Sequence, residues 1–500
     1  MELDSRTRRR PAIALALAAL LAACPREGRE AARERAPAAA RPRPPAFLVV
    51  SDEMLTGASA AGENWLVYGG AYNNQRYSTL DQINRGNVRT LAPAWSYQTG
   101  VSESFKTTPL VVGNVMYLTT PAAQQVQYVI ALHAATGEEL WRTPIRLDTA
   151  IFCCGPNNRG VAAYRNKVYV GTLDARLIAL NARTGRQVWS VQVDDPTAGY
   201  SITGAPLAYR GKVVTGVGSG EYGIRGHLTA YDAETGRQVW RWYTVPAPNE
   251  APNGWWGEWK ETDPWGTPLN RDIAREKADS ARYADAWQRG GAGAWMTPAY
   301  DPETNTLYVN IGNPSPDLDG SVRPGDNLYS ESIVALDGET GRLKWYFQYL
   351  PHDVWDLDAA SPPILFTVDG PKSVGHAGKV GWYYVVDAAT GRPVLRSQNF
   401  VPHENLFTPP TPEGIRMLPG ANGGSEWSPT AFSPRHNLSS TCWGSTSRCA
   451  TPPTPHPTAA ASSGWEARSP RSPARSSGGS SRRSTCARAR SGGTARCPSP

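Results

Sequence analysis

The sequence predicts an all-β protein of the propeller class, and three observations support this fold. A string of the form Asp-x-x-Thr-Gly, or a close variant, recurs between segments of alternating apolar and polar residues. Its copies lie about fifty residues apart, a spacing typical of propellers built from four-stranded blades. A tryptophan follows most copies at a fixed offset, where it can pack between neighbouring sheets and bury a large area.

The repeated string defines the predicted blades. Its copies are ALHAATGEELW (131–141), ALNARTGRQVW (179–189), AYDAETGRQVW (230–240), ALDGETGRLKW (335–345) and VVDAATGRPVL (385–395). Successive copies start 48, 51, 105 and 50 residues apart. We interpret the long gap as two periods, because a weaker copy, AYDPETNTLYV (299–309), partly fills it. The glycine takes a positive-φ turn position, and the next strand then delivers the tryptophan.

The N-terminal segment predicts export. Arg8–Arg10 precede the apolar run Ala12–Ala23, which is too short to span a bilayer. We therefore expect residues 1–24 to be a signal peptide. The string Leu-Ala-Ala-Cys that ends at Cys24 is similar to a bacterial lipobox and implies a lipid anchor on Cys24; the alternative is an ordinary signal peptide containing a cysteine.

Composition divides the rest of the chain into three segments. Residues 25–62 are rich in Ala, Arg, Pro and Glu and are predicted to be a tether. The alternating pattern spans residues 63–440, and its length corresponds to about seven and a half units. Residues 441–500 are interpreted as a disordered or non-native tail.

Charge argues against a nucleic-acid partner. The formal net charge is +7, but the positive excess lies in the two terminal segments. The last fifty residues carry eight Arg and one Glu, so the patterned middle of the chain is net acidic. We therefore predict no basic surface for nucleic acid on the propeller.

Four strings in the patterned region identify a family. They are CCGPNNRG (153–160), GEYGIRG (220–226), IGNPSPD (311–317) and the pair RPGDN and PHDVWDLD within 323–358. Together with ENWLVYGGAYNNQRYSTLDQINRGNV (63–88) and GGSEWSPTAFSP (423–434), they resemble the quinoprotein alcohol dehydrogenases. The resemblance implies an eight-bladed β-propeller of four-stranded blades, with the last blade missing from this chain. It also implies pyrroloquinoline quinone (PQQ) and one metal ion in the axial funnel.

The adjacent cysteines are the most specific feature of the predicted cofactor site. Taken alone, Cys153 and Cys154 are either two ordinary thiols or a strained ring disulfide. The family resemblance implies the disulfide, lying against one face of the quinone. It also implies that Trp295 covers the other face, with ordinary blade packing as the alternative role for that indole.

The resemblance further implies a metal site. Glu221 and Asn313 match the two protein ligands of the family, and their oxygen donors suit a hard cation such as calcium. Asp358 matches an additional carboxylate of lanthanide-using members, so we favour a lanthanide. The alternative is a calcium site with Asp358 on the surface or behind the ligands.

Asp356 matches the general base of the family, which takes the proton of the alcohol while hydride passes to PQQ. Asp353 in the same string is the competing candidate. Further residues implied to contact PQQ are Arg159, Thr203, Ser219, Gly220 and Lys379. Two positions depart from the family pattern: Lys106 stands where many members have an acid, and Glu426 stands where some have Asn.

The sequence thus predicts a periplasmic, PQQ-dependent enzyme that oxidises a small alcohol. Because no Cys-x-x-Cys-His string is present, we expect a separate cytochrome c to accept the electrons. One alternative is a non-catalytic propeller lipoprotein of the outer-membrane assembly type, which has no need of the funnel residues. Another is an inactive, truncated gene product. The sequence does not identify the alcohol, and sugars, polyols or aldehydes stay open as substrates.

Overall fold

A computed structural model describes residues 47–60, 62–148, 150–251, 254–368 and 370–440, which all belong to one compact unit. The predicted signal peptide, the lipobox Cys24 and the tail 441–500 lie outside the described residues. No helix in the described ranges is long and apolar enough to cross a bilayer.

Five four-stranded antiparallel sheets form the blades, and a two-stranded sheet follows them. The first two sheets contain β1 Leu110–Val112, β2 Val115–Thr119, β3 Val126–His133, β4 Glu139–Arg146, β5 Ala162–Tyr164, β6 Lys167–Gly171, β7 Arg176–Asn181 and β8 Gln187–Gln192. The third and fourth contain β9 Leu207–Tyr209, β10 Lys212–Gly216, β11 His227–Asp232, β12 Gln238–Tyr243, β13 Ala299–Asp301, β14 Thr306–Ile311, β15 Ser332–Asp337 and β16 Leu343–Gln348. The fifth contains β17 Ile364–Thr367, β18 Lys372–Ala377, β19 Tyr383–Asp387 and β20 Pro393–Arg396, and the hairpin contains β21 Ala431–Ser433 and β22 Leu438–Ser440.

Helical structure is sparse in the described chain. The α-helices are α1 Asp52–Gly57 and α2 Ile273–Asp279. Short 3-10 turns occupy Val88–Thr90, Pro196–Ala198, Gly220–Tyr222, Gly254–Trp256, Ser280–Tyr283, Ala286–Arg289 and Gly320–Val322. The all-β propeller prediction is therefore confirmed.

The repeated string forms the turn between the third and fourth strands of each blade. In the third blade, the Asp232 carboxylate accepts hydrogen bonds from the backbone N–H and the hydroxyl of Thr235, both at 2.8 Å. Gly236 then adopts φ +72°, the left-handed conformation that glycine accommodates at little cost. The same bonds recur at Asp337 and Thr340. The motif thus forms a turn, and its residues have a structural role and no catalytic one.

The repeated tryptophans join successive blades. The Trp240 indole lies against the turn glycine Gly341 of the next blade, where an added Cβ would be 2.5 Å from the ring. Its N–H donates to the carbonyl of Gly338 at 3.4 Å. Trp141, Trp189 and Trp345 make equivalent bonds to the following turns. The predicted inter-sheet role of this residue is confirmed.

The long gap between repeats is a single period. The weaker copy at 299–309 forms β13 and β14, which pair with β15 and β16 in one sheet. Since Trp240 of the third blade contacts the turn of this same sheet, no blade lies between them. The interpretation of two periods was wrong, because the described residues between β12 and β13 form an insertion of loops, short 3-10 turns and α2. The described chain holds five four-stranded blades and a hairpin, so the eight-bladed count is not reached within the described ranges.

Part of the predicted tether packs on the propeller. Val50 exchanges two backbone hydrogen bonds with Arg165. Ser51 caps α1, and Leu55 in that helix is 1% exposed. Part of this segment therefore differs from a solvated tether, because Val50, Leu55 and Ala58 are buried, whereas Leu48 and Val49 are exposed.

Substituting Gly341 by Ala is expected to destabilise the fold by about 3 kcal/mol, since the new Cβ combines left-handed strain with a collision against Trp240. Gly100→Ala is the matched control: its φ is +71°, yet nothing lies within 4 Å of the added Cβ. The control isolates strain alone, about 1 kcal/mol. Denaturant unfolding of both variants measures the difference, and equal losses would contradict the packing role of Trp240.

Candidate active site

The candidate residues converge because antiparallel blades return their loops to the same end. In each blade, the turn between the third and fourth strands lies at one end of the sheet. The loop between the second and third strands and the connection to the next blade therefore lie at the other end. The predicted site residues all belong to this second group of loops. They occupy 147–161, 193–206, 217–226, 244–298, 312–331, 349–363 and 378–382.

The predicted disulfide between Cys153 and Cys154 is present. The Cys153 N–H points to the hydroxyl of Ser219 at 3.5 Å, and that hydroxyl also lies 2.8 Å from the hydroxyl of Ser201. Asn157 donates its amide to the carbonyl of Cys154 at 2.7 Å. The cysteine loop is therefore fixed to the loop that carries Ser219.

The two predicted metal ligands lie beside this disulfide. A carboxylate oxygen of Glu221 and both cysteine sulfurs lie within 4.8 Å of one another. Gly220 brings Asn313 close, since a Cβ on Gly220 would be 3.7 Å from the amide oxygen of Asn313. Oε2 of Glu221 is buried without a hydrogen-bond partner among the described residues. Glu221 and Asn313 thus offer two oxygen atoms that could bind a metal ion, and the Glu221 oxygen has no hydrogen-bond partner among the described residues.

Trp295 connects the cofactor residues to the carboxylates. The guanidinium of Arg159 lies 4.8 Å from the centre of its ring, and Arg159 contacts the carbonyl of Thr203 through its backbone N–H at 3.0 Å. On its other side, the indole N–H of Trp295 donates to Asp358 at 3.1 Å. Residue 312 must be glycine here, because a Cβ would lie 2.8 Å from both the indole nitrogen and the Asp358 oxygen.

Lys379 holds the two predicted aspartates together. Its ammonium donates to Oδ1 of Asp358 at 2.7 Å, to the carbonyl of Asp356 at 3.0 Å and to Oδ1 of Asp356 at 3.3 Å. The side chain of Lys379 is buried, and Asp356 adopts φ +61°. The structure therefore assembles all twelve sequence-predicted site residues in one connected cluster.

The electrostatics of the cluster favour a cation. Burial and the charges of Asp358 and Asp317 raise the pKa of Glu221 to about 7. Burial, offset in part by Lys379 and reinforced by Asp358, raises the pKa of Asp356 well above its usual value. Burial also opposes the charge of Asp358, yet Lys379 and the hydrogen bonds hold its pKa below the usual value. Asp356, Asp358 and Glu426 thus share the ammonium of Lys379, and Glu221 lies close enough to feel the charge of Asp358.

Asp353, the competing candidate for the base, makes hydrogen bonds to the backbone of its own loop. Its carboxylate accepts the backbone N–H groups of Trp355 at 2.9 Å and Leu357 at 2.8 Å. The side chain is fully buried, and burial raises its pKa to about 6. Asp353 therefore shapes the loop that presents Asp356.

Sequence reasoning missed Arg323, although it lies in the RPGDN string. This fully buried guanidinium donates to the carbonyls of Pro316 at 2.7 Å and Asp317 at 3.2 Å, and to that of Asp353. It thereby ties the segment after Asn313 to the loop of Asp356. In the sequence, this connecting role is indicated only by the position of a charged residue between the IGNPSPD and PHDVWDLD strings.

Arg323→Met is expected to lower the free energy of unfolding by about 3 kcal/mol, because the hydrogen bonds from this fully buried guanidinium to three carbonyls are lost. Arg289→Met is the control, since Arg289 forms an exposed ion pair with Asp285 on one helical turn, worth about 0.5 kcal/mol. Chemical denaturation compares the two variants. Equal, small effects would show that Arg323 does not connect the segments.

Comparison with known proteins assigns the family. A family model described as the PQQ β-propeller domain of glucose, ethanol and alcohol dehydrogenases matches residues 65–402, well over half of the chain. The chain belongs to the PQQ-dependent alcohol dehydrogenase family. The resemblance predicted from the four motifs is therefore confirmed.

Individual relatives support this assignment. The quinohemoprotein alcohol dehydrogenase ADH IIB of Pseudomonas putida is 38% identical over 78% of this chain and 57% of its own length. The solved structure of the quinohemoprotein alcohol dehydrogenase from Comamonas testosteroni is 35% identical, covers 78% of this chain and 59% of its own, and has a TM-score of 0.65. A europium-containing methanol dehydrogenase is 30% identical, covers 77% and 69% respectively, and also has a TM-score of 0.65. This PQQ-family chain spans about half the length of the curated relatives it matches.

Proposed function

We propose that this chain is the PQQ-binding propeller of an exported dehydrogenase that oxidises an alcohol. The observation that carries the proposal is the connected cluster in which the Cys153–Cys154 disulfide, Trp295 and the Glu221, Asp356 and Asp358 carboxylates meet. A non-catalytic scaffold has no need to place these groups together, so the cluster favours the enzyme.

The residues present fit PQQ. Arg159 is 4% exposed, and its Nε has no hydrogen-bond partner among the described residues. A buried guanidinium with free donors suits a cofactor carboxylate. The indole of Trp295 and the disulfide offer the two apolar faces that a planar quinone requires. Thr203, Ser219 and Gly220 would complete its surroundings.

The residues also fit a metal ion. Glu221 supplies the unsatisfied carboxylate oxygen and Asn313 the amide oxygen, which are donors that hard cations prefer. Asp317, Asp356 and Asp358 add negative charge, so a trivalent ion would be balanced well. We therefore favour a lanthanide bound with the help of Asp358, with calcium as the alternative.

When bound, PQQ supplies a hydride-accepting carbonyl and the metal ion supplies a Lewis acid. Asp356 is the general base: its carboxylate takes the proton of the substrate hydroxyl. Burial, reinforced by the neighbouring Asp358, raises the pKa of Asp356 and so makes its carboxylate a stronger proton acceptor. Lys379 orients Asp356 through two contacts and keeps Asp358 ionised.

The wider setting follows from the sequence. We propose that the signal segment exports the chain to the periplasm, and that a lipid on Cys24 provides its membrane contact. Electrons would leave to a separate cytochrome c. The substrate would be a small alcohol, and no nucleic-acid partner is proposed.

Reconstitution tests the proposal. The purified full chain would be incubated with PQQ and either calcium or lanthanum, and oxidation of primary alcohols would be followed with a redox dye. We expect saturable activity that requires both PQQ and the ion. Failure to bind PQQ with either ion would instead support the scaffold or the inactive gene product.

A further inference from the structure

A second group of charges surrounds the indole of Trp427. The ammonium of Lys106 lies 5.1 Å from the centre of this ring, and the guanidinium of Arg159 lies 5.4 Å from it. Arg159 also lies 4.8 Å from the centre of the Trp295 ring. Two cations and two indoles are therefore in contact in this part of the site.

This group has more positive charge than its neighbours neutralise. The nearby acid is Glu426, whose Oε2 accepts the backbone N–H of Trp427 at 2.7 Å and whose Oε1 lies 3.9 Å from Lys379. Among the described carboxylates, none lies within 4.0 Å of the Lys106 ammonium. Burial and the charge of Arg159 lower the pKa of Lys106, whereas Glu426 opposes this shift. Two cations thus depend on one carboxylate that already has two other contacts.

The buried guanidinium of Arg159 independently favours an anionic ligand. It is 4% exposed, yet its only side-chain hydrogen bond among described residues runs from Nη1 to the Thr203 carbonyl at 3.4 Å. Its Nε has no partner. Since leaving the donors of a buried charge unsatisfied is costly, a ligand with acceptor oxygens is expected against them. The indoles of Trp295 and Trp427 lie against the same guanidinium, so the surroundings of such a ligand would be largely aromatic.

We propose that Lys106 and Arg159, which both lie against Trp427, form one anion subsite that binds the carboxylate edge of PQQ. This inference rests on the proposed function, since it assigns an additional contact to the same cofactor. Lys106 is one of the two positions at which the sequence departs from the family pattern, so this chain would use a cation where many members use an acid. The affinity for PQQ would then depend on the positive charge at residue 106.

The test measures PQQ binding by quenching of tryptophan fluorescence in the full chain, with calcium and with lanthanum. Lys106→Met keeps the length of the side chain and removes its charge, and we expect the dissociation constant to rise about tenfold or more. Lys106→Arg should retain the affinity of the wild type. Lys277→Met is the matched control, because Lys277 lies over the Trp259 indole at 5.6 Å on the exposed helix α2. Far-ultraviolet circular dichroism and melting temperatures establish that each variant is folded.

A neutral probe separates charge from packing. Phenanthrenequinone is a flat ortho-quinone without carboxylates, and its affinity should be the same for the wild type and Lys106→Met. If the variant weakens both quinones equally, or leaves PQQ affinity unchanged while the wild type binds PQQ, the subsite is wrong and the proposed function stands. If the wild type binds no PQQ, the proposed function and this inference both fail.

Discussion

Replacing Asp356 by Asn is expected to lower the alcohol oxidation rate about a thousandfold, while the affinity for PQQ changes little. Asn cannot accept the hydroxyl proton, but it keeps the shape of the side chain and its contact with Lys379. Steady-state oxidation of an alcohol by the protein loaded with PQQ and metal measures the rate, and fluorescence titration measures the binding. A large loss of rate with little change in PQQ affinity would identify Asp356 as the base.

Asp353→Asn is the matched control for this experiment. It lies three residues away, and its carboxylate accepts two backbone N–H groups. We expect it to lower the melting temperature, because an amide offers only one acceptor oxygen for these two donors. Its residual rate, per folded molecule, should exceed that of Asp356→Asn. The opposite order would assign the base to Asp353.

The second large effect concerns the metal ion. Asp358→Asn is expected to weaken lanthanum binding about 100-fold, since a trivalent ion loses one of the carboxylates that balance its charge. Calcium binding should fall less than tenfold, because a divalent ion depends less on the additional carboxylate. Isothermal titration with each ion in the presence of PQQ gives both affinities.

Asp317→Asn controls for net charge in the same titrations. Asp317 is a half-buried carboxylate near Asp358 that was not predicted to be a ligand. If charge alone matters, both variants should weaken lanthanum binding equally. An equal loss of calcium and lanthanum affinity in Asp358→Asn would contradict a lanthanide-specific role for that residue.

The sequence was informative where a repeat or a motif constrains the backbone. The Asp232 turn and the Trp240 contact follow directly from a string whose residues bond to one another. The spacing of the same string led to a wrong prediction for the gap before residue 335, because a gap of two periods can hold either an additional blade or an insertion. Only the pairing of β14 with β15 decides between them.

The candidate site shows the same limit. The motifs follow one another along the chain as they do in the family, and this match predicted that Glu221, Asn313 and Asp356 lie at one funnel. They did not show that Lys379 bonds to both aspartates, since these residues lie more than twenty positions apart. The connecting function of Arg323 was also hidden, because the partners that it joins are backbone carbonyls, which any residue type can supply.

The central claim is that this chain binds one PQQ between the disulfide and Trp295. Equilibrium titration of the full chain with PQQ, in the presence of lanthanum, tests it most directly. We predict one equivalent per chain and a dissociation constant that rises at least about tenfold in Trp295→Ala, whereas Trp189→Ala, whose indole joins two blades, retains the affinity when folded. Absence of binding, or equal affinity in the wild type and Trp295→Ala, would contradict the account.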